Sequence, residues 1–145
     1  MSSLYRYLQG THMGETRANL TLTNIFNRKT VSVRALVDTG ATFLIVTPDV
    51  AKELGFDTEE CQTRNATLAD GSHSSVPLLK GIEIAFEDRT GRIDAYVMGD
   101  ECLMGYFALE CMDLMVDPVR QRLVGAHPGG PRILCTGVRV DPRHP

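Results

Sequence analysis

Several things are missing from this 145-residue chain, and each absence narrows what it does. No apolar run approaches the roughly 18 residues of a membrane-spanning helix. The N-terminus has no apolar stretch followed by a small-residue cleavage site, so a cytoplasmic protein without membrane contacts is expected. A basic excess is also missing: 15 Lys and Arg against 18 Asp and Glu leave a formal net charge of -3. Such a surface complements a phosphate backbone poorly, so nucleic acid is not an expected partner. The four cysteines, Cys61, Cys102, Cys111 and Cys135, are widely separated. Zinc and redox motifs need closer spacing, which argues for no metal and no cofactor, with Cys102 and Cys111 as reduced core residues. Without a secretory signal, the triplets Asn19-Leu20-Thr21 and Asn65-Ala66-Thr67 read as coincidental glycosylation matches. No repeat divides the chain.

What is present fits one domain with a modest core: 43% apolar and 23% charged residues are ordinary globular values. Residues 1–12 read as a tag or linker, or a disordered arm, because LYRYLQG resembles a protease-cleavage linker and His12-Met13 a cloning junction. Residues 13–126 form the expected domain. Residues 127–145 are a Pro/Gly-rich tail, with a last strand expected at 133–140.

Turn signals recur every 8–14 residues with period-2 patterns between them, which predicts a mainly all-β fold. Strands are expected at 17–25, 30–37 and 43–46, with Asn27-Arg28-Lys29 as the first turn. Residues 63–79 predict a hairpin, with arms at 64–69 and 75–79 around the Asp70-Gly71 turn. Two further strands, 81–87 and 92–98, are expected around a charged turn containing Gly91. A helix starts at Thr47, a good N-cap, followed by Pro48 and Asp49; Val50, Ala51 and Leu54 make its inner face and Gly55 its end. A second short helix is expected at 106–111, and a closing hairpin at 114–116 and 122–124.

Against this pattern ALVDTGATFLIV, residues 35–46, sets a carboxylate between two apolar runs. A buried acid is costly unless something pairs with it or needs it. On its own, Asp38-Thr39-Gly40 is also a good turn. An aspartyl-phosphate site is the other chemistry open to an acid after an apolar strand, but it expects further carboxylates and alternating helices that the pattern lacks.

The surroundings of Asp38 favour catalysis. In order, the chain carries ALVDTGATFLIVTPDVAKELGF, ATLADGSHSSVP and CLMGYFALECMDLMVDPVRQRLV. Together these stretches resemble the retropepsin-like (clan AA) aspartic proteases, in particular the small single-domain bacterial and archaeal members, over about residues 15–125. The resemblance implies a retropepsin-like acid protease barrel with one or two short helices, one lobe per subunit. Two nearby carboxylates sharing one proton do the chemistry in that family, one as general base on a water and the other as donor to the scissile carbonyl. No second Asp-Thr-Gly occurs in the chain, so the resemblance implies a homodimer whose peptide or protein substrate meets Asp38 of both subunits.

By the same resemblance Asp38 is the catalytic residue. Thr39 hydrogen-bonds across the dyad, Gly40 lets its N–H approach the carboxylates, and Ala41 keeps the cleft floor small. Ala69, Asp70, Gly71 and Ser72 form a flap over the substrate, and Leu103, Met104 and Gly105 pack beside the Asp38 loop. The chain departs from viral members at Phe43 and Leu44, where they carry acids, and at Tyr106-Phe107, where they carry polar residues. Two weaker readings are a catalytically weak dimerisation or peptide-binding module of the same fold, and a structural β domain in which Asp38 serves a turn. Asp70 reads as a turn former and His73 as a solvated turn residue. Asp94, Asp100, Asp113 and Asp117 are assigned to surfaces and turns, and His127 and His144 to loops without a constellation.

Overall fold

The alternation of Ala18, Leu20 and Leu22 gives β1 (Arg17–Asn24) one apolar face, and all three side chains are buried. The strand turns back through Asn27 and Arg28 (φ 63°) into β2 (Thr30–Val37), with Leu20 opposite Val33 and Leu22 opposite Val31. In the computed structural model, which describes residues 14–130, nine strands and two short helices follow one another. The remainder are β3 (Leu44–Val46), α1 (Pro48–Glu53), β4 (Thr63–Thr67), β5 (His73–Phe86), β6 (Arg89–Val97), β7 (Leu103–Met104), α2 (Tyr106–Cys111), β8 (Leu114–Asp117) and β9 (Arg122–Gly125). The fold is mainly all-β, as expected. Residues 1–12, the anticipated strand at 133–140, Cys135 and His144 lie outside the described residues.

One sheet runs in the order β1-β2-β7-β3-β6-β5-β4, and a further β1–β5 pairing closes six of its strands into a barrel. Closure removes the free edges that an open sheet would present. The core inside is aliphatic: Leu20, Leu22, Leu44, Leu79, Ile82, Ile84 and Met104 are almost completely buried. α1 begins where the sequence indicates, with Thr47 Oγ1 accepting the Val50 N–H at 3.3 Å and Gly55 at φ 80° just past its end. The amides of Asn24 and Asn27 both donate to the Leu54 carbonyl at 3.0 Å and tie that end to the first hairpin.

Three local expectations are corrected. The strands expected at 75–79 and 81–87 are one strand, β5, whose register slips between Leu79 and Ile82. Gly81, at φ 83°, sits in that bulge, where an added Cβ would meet the Phe26 ring at 2.7 Å. The glycine bends the strand instead of ending it, so the first half of β5 leaves the barrel with β4 and the second half belongs to it. Gly91 lies inside β6, not in a turn; Glu87 and Asp88 make the turn, with Glu87 at φ 52°. Gly91 is needed because a Cβ there would lie 2.6 Å from Cys111 Sγ of α2. Finally, the β4–β5 loop is longer than a two-residue Asp-Gly turn. The Gly71 N–H donates to Leu68 O at 2.9 Å and the Leu68 N–H to Ser72 O at 2.7 Å, with positive φ only at Gly71.

Candidate active site

Asp38 lies at the end of β2, where the chain leaves the barrel wall. The two-residue strand β7 runs between β2 and β3, parallel to the first and antiparallel to the second. It therefore closes the gap on both sides of the loop that joins β2 to β3. Leu103 faces Leu36 and Ile45; Met104 faces Val37 and Leu44 and is fully buried. The Asp38 N–H donates to Met104 O at 3.1 Å, and the Val37 N–H to Thr16 O at 2.8 Å. The Asp38 N–H entering the loop is thus held by an apolar strand that cannot move without opening the core, and the Val37 N–H by the residue that precedes β1.

Inside the loop the Gly40 N–H donates to Asp38 Oδ1 at 2.9 Å, and the Ala41 N–H to Asp38 O at 3.1 Å. These two bonds fold residues 38–41 into a tight turn and orient the half-buried carboxylate. On the exit side the Tyr106 N–H donates to Ala41 O at 2.8 Å and the Phe107 N–H to Thr42 O at 3.0 Å. The first turn of α2 therefore spends its unsatisfied N–H groups on the Asp38 loop. Gly105 makes this approach feasible. A Cβ on it would lie 2.4 Å from Phe43 O, 2.7 Å from Ala41 O and 2.9 Å from Phe43 N. The structure thus brings Asp38, Gly40, Ala41, Met104 and Gly105 together. Thr39 is exposed on the same loop, and its hydroxyl has no partner among the described residues.

Ala69, Asp70, Gly71 and Ser72 are all exposed at the tip of the β4–β5 hairpin, away from the barrel wall. Asp70 Oδ1 accepts from the Ser72 hydroxyl at 2.6 Å and the Ser72 N–H at 2.9 Å, which hold its carboxyl below the usual carboxylate range. It is a turn former, as expected. His73 is the last paired residue of the hairpin, within 3.1 Å of Thr67 Oγ1 through Nδ1, and is exposed.

Two groupings escape the sequence. Asp113, assigned above to surfaces and turns, does lie in a turn, at φ 53°, but it is buried. It is 2.6 Å from His127 Nδ1, and its Oδ2 also accepts the His127 N–H. Arg89 Nη1 reaches the Met112 and Asp113 carbonyls at 3.0 and 2.6 Å. His127, foremost, and Arg89 keep the Asp113 carboxyl below its ordinary value, against the opposing effect of burial. His127 therefore belongs to a constellation after all, one that pins the chain after β9 to the end of α2. No local signal announces it, since residues 89, 113 and 127 meet only through the fold. The second grouping is aromatic. Phe43 stands edge-on to Tyr96 and to Phe107, with ring centroids 4.9 and 5.6 Å apart. Its hint in the sequence is the apolar character of Phe43 and Phe107 so near the loop.

Among the described residues no three His, Cys, Asp or Glu side chains gather as a metal site, and no helix is long and apolar enough to cross a membrane. Burial pushes the Cys102 and Cys111 thiols upward, and both are free. That is the behaviour of packing residues.

A family model described as aspartyl protease matches residues 23–109. Two solved structures share the fold. A retropepsin-like aspartic protease from Rickettsia conorii is 22% identical, with a TM-score of 0.58 over 73% of this chain and 79% of its own. The retroviral protease-like domain of Ddi1 from Leishmania major is 17% identical, with a TM-score of 0.54 over 85% and 98%. A search of curated proteins gives no match. The barrel described above is thus a retropepsin-like one.

Proposed function

Since this chain belongs to the aspartyl protease family, we propose that it is an aspartic endopeptidase in which Asp38 of two subunits forms one dyad. One observation carries this reading: a single Asp38-Thr39-Gly40-Ala41 turn, braced on both sides by β7 and α2, holds one oriented carboxylate per chain. The unpartnered Thr39 hydroxyl supports it too, because a cross-subunit hydrogen bond would use that group.

In the dyad the two carboxyls share a proton, since two neighbouring carboxylates resist joint ionisation. The ionised Asp38 takes a proton from water as the water oxygen bonds to the scissile carbonyl carbon. The protonated Asp38 gives its proton to the carbonyl oxygen. Collapse of the resulting diol breaks the C–N bond, with a proton passing to the amine nitrogen. The hairpin tip at residues 69–72 closes over the peptide and excludes water, and the extended substrate pairs with cleft backbone as an added strand. No metal, cofactor or covalent intermediate takes part.

The test is cleavage of a peptide library by wild type and Asp38→Asn between about pH 4 and pH 7, read by mass spectrometry, with the oligomeric state measured by sedimentation. A cleaving wild-type dimer and a silent Asp38→Asn dimer are expected. A verified wild-type dimer that cuts nothing, or an Asp38→Asn protein that cuts as well as wild type, refutes the proposal.

A further inference from the structure

Three consecutive N–H groups lead into the Asp38 loop, and two different segments hold them. The Leu36 N–H donates to Cys102 O at 2.9 Å and the Asp38 N–H to Met104 O at 3.1 Å, both on the segment that runs through β7. Between them, the Val37 N–H donates to Thr16 O at 2.8 Å, on the residue that precedes β1. The end of β2 is thus slung between two neighbours, and the place where Asp38 stands depends on both.

Side chains of those two segments meet across β2. Arg17 opens β1 opposite Leu36, and Leu36 faces Leu103 on its other side. Arg17 Nη1 donates to Glu101 Oε1 at 2.5 Å, and its Nη2 donates to Glu15 Oε2 at 2.9 Å. Glu15 and Arg17 flank Thr16, and Glu101 precedes Cys102. One guanidinium therefore ties together the neighbours of two of the three carbonyls that hold β2. The Arg17 side chain is 30% exposed and that of Glu101 37%. Ion pairs this open add little to global stability, so its location is what distinguishes it. The fork of an arginine engages both acids at once, which a point-like ammonium does less well. Without the cation, two carboxylates drawn to one point repel each other and push their segments apart.

We propose that Arg17, paired with Glu101 and Glu15, is a positioning residue for the catalytic carboxylate, a strap across β2 that fixes where Asp38 stands. The inference rests on the peptidase reading and deepens it. When the strap is cut, the Thr16 and Cys102 carbonyls are free to part, the Val37 and Leu36 bonds loosen, and Asp38 shifts with them. Displacing a reacting group costs rate rather than binding, up to about a hundredfold for roughly 1 Å.

The experiment has two arms. In the first, Arg17→Gln and Glu101→Gln should each lower kcat about tenfold at a temperature where both dimers are fully folded, with KM within about twofold of wild type. Arg17→Lys should retain part of the rate. The double variant should fall no further than either single one, because the strap is cut only once. Lys52→Gln removes an exposed cation on α1 and should leave kcat unchanged. The second arm needs no cleavage. Amide hydrogen exchange, followed by NMR, should quicken at Leu36, Val37 and Asp38 by at least about fivefold in Arg17→Gln and Glu101→Gln, while Ile82 and Ile93 across β5 and β6 keep their wild-type rates.

Unchanged kcat in both single variants overturns the proposal. So does a fall in kcat with wild-type exchange at the three amides, which would give Arg17 another route to the reaction. A shift from dimer to monomer overturns it as well, by making Arg17 a subunit contact. If the three amides respond and wild type never cuts a peptide, the peptidase reading fails and the strap stands. If peptides are cut and the amides do not respond, the strap fails and the peptidase reading stands.

Discussion

Replacing Gly105 by alanine probes the contact on which the Asp38 loop depends most. The backbone of Gly105 is at φ -88°, a conformation alanine adopts freely, so no dihedral penalty enters. The cost comes from space alone. The new methyl would stand 2.4 Å from Phe43 O, 2.7 Å from Ala41 O and 2.9 Å from Phe43 N. All three are main-chain atoms, which cannot turn aside as a side-chain tip can. Relief requires the leg carrying Ala41 and Phe43 to move away from α2, and that stretches the Tyr106–Ala41 and Phe107–Thr42 hydrogen bonds. Overpacking in rigid surroundings costs about 1–3 kcal/mol, and each weakened bond adds up to about 1 kcal/mol, so a loss of about 3 kcal/mol is expected. For a chain of this size that lowers Tm by roughly 10 °C. Urea unfolding at fixed protein concentration measures it directly, because a dimer's stability depends on concentration. Gly71→Ala is the control. Gly71 has φ 85° but nothing within 4 Å of an added Cβ, so it should lose only about 1 kcal/mol through its backbone. If Gly105→Ala costs no more than Gly71→Ala, the idea that close backbone approach braces the loop is wrong. Peptide cleavage by Gly105→Ala should also fall by more than the lost stability explains, since a displaced carboxylate misses its reacting geometry.

Three other outcomes are expected. Asp38→Asn should abolish cleavage, by at least about a thousandfold, yet change stability by less than about 0.5 kcal/mol, because the amide oxygen can still accept the Gly40 N–H; a large destabilisation seen in urea would show the carboxylate to be structural. Thr47→Ala removes the acceptor of the Val50 N–H at the start of α1 and should cost about 0.5–1 kcal/mol in the same assay. Asp113, whose carboxyl is held below its ordinary value of 3.8 by His127 and Arg89, should stabilise the fold fully above that value. The contribution fades as pH falls through 3.8 and on through the depressed folded value, because only the charged form is favoured by its partners. Melting wild type and Asp113→Asn from about pH 6 down to about pH 3 should therefore show a Tm gap that narrows with acid, and a gap constant over that range would contradict the assignment.

Strand positions were legible wherever a local pattern was the whole cause. The alternation of Ala18, Leu20 and Leu22, and the Thr47-Pro48 start of α1, specify their elements within a few residues, and both occur as expected. The glycines misled because a glycine serves two different needs. Gly81 and Gly91 read as breaks, but one permits a bulge with positive φ and the other admits Cys111 of α2. A long-range neighbour is invisible in a local pattern. The Arg89–Asp113–His127 grouping has the same cause: its members are 14 and 24 residues apart and meet only after β8 and β9 have folded back.

The legibility of the candidate site has a different origin. Its residues come from two short segments, 38–41 and 103–105, each of which carries an unusual local composition. An acid between apolar runs has no packing rationale by itself, and a glycine after Leu103-Met104 has no turn to make, since Gly105 keeps negative φ. Each oddity is explained by the other. The apolar pair fills the gap between β2 and β3, and the glycine lets α2 donate two N–H groups to the loop that the acid begins. Phe43 and Phe107 then follow from the same contact. With α2 pressed this close, the residues after Ala41 and after Tyr106 are forced side by side, so a change at one is felt at the other. A chain that places two aromatic rings there, 5.6 Å apart and edge to face, has joined the bracing of its carboxylate to a partly exposed aromatic pair. Replacing both rings by alanine should therefore cost less stability in urea than the two single losses added together, because the edge-to-face contact can be lost only once.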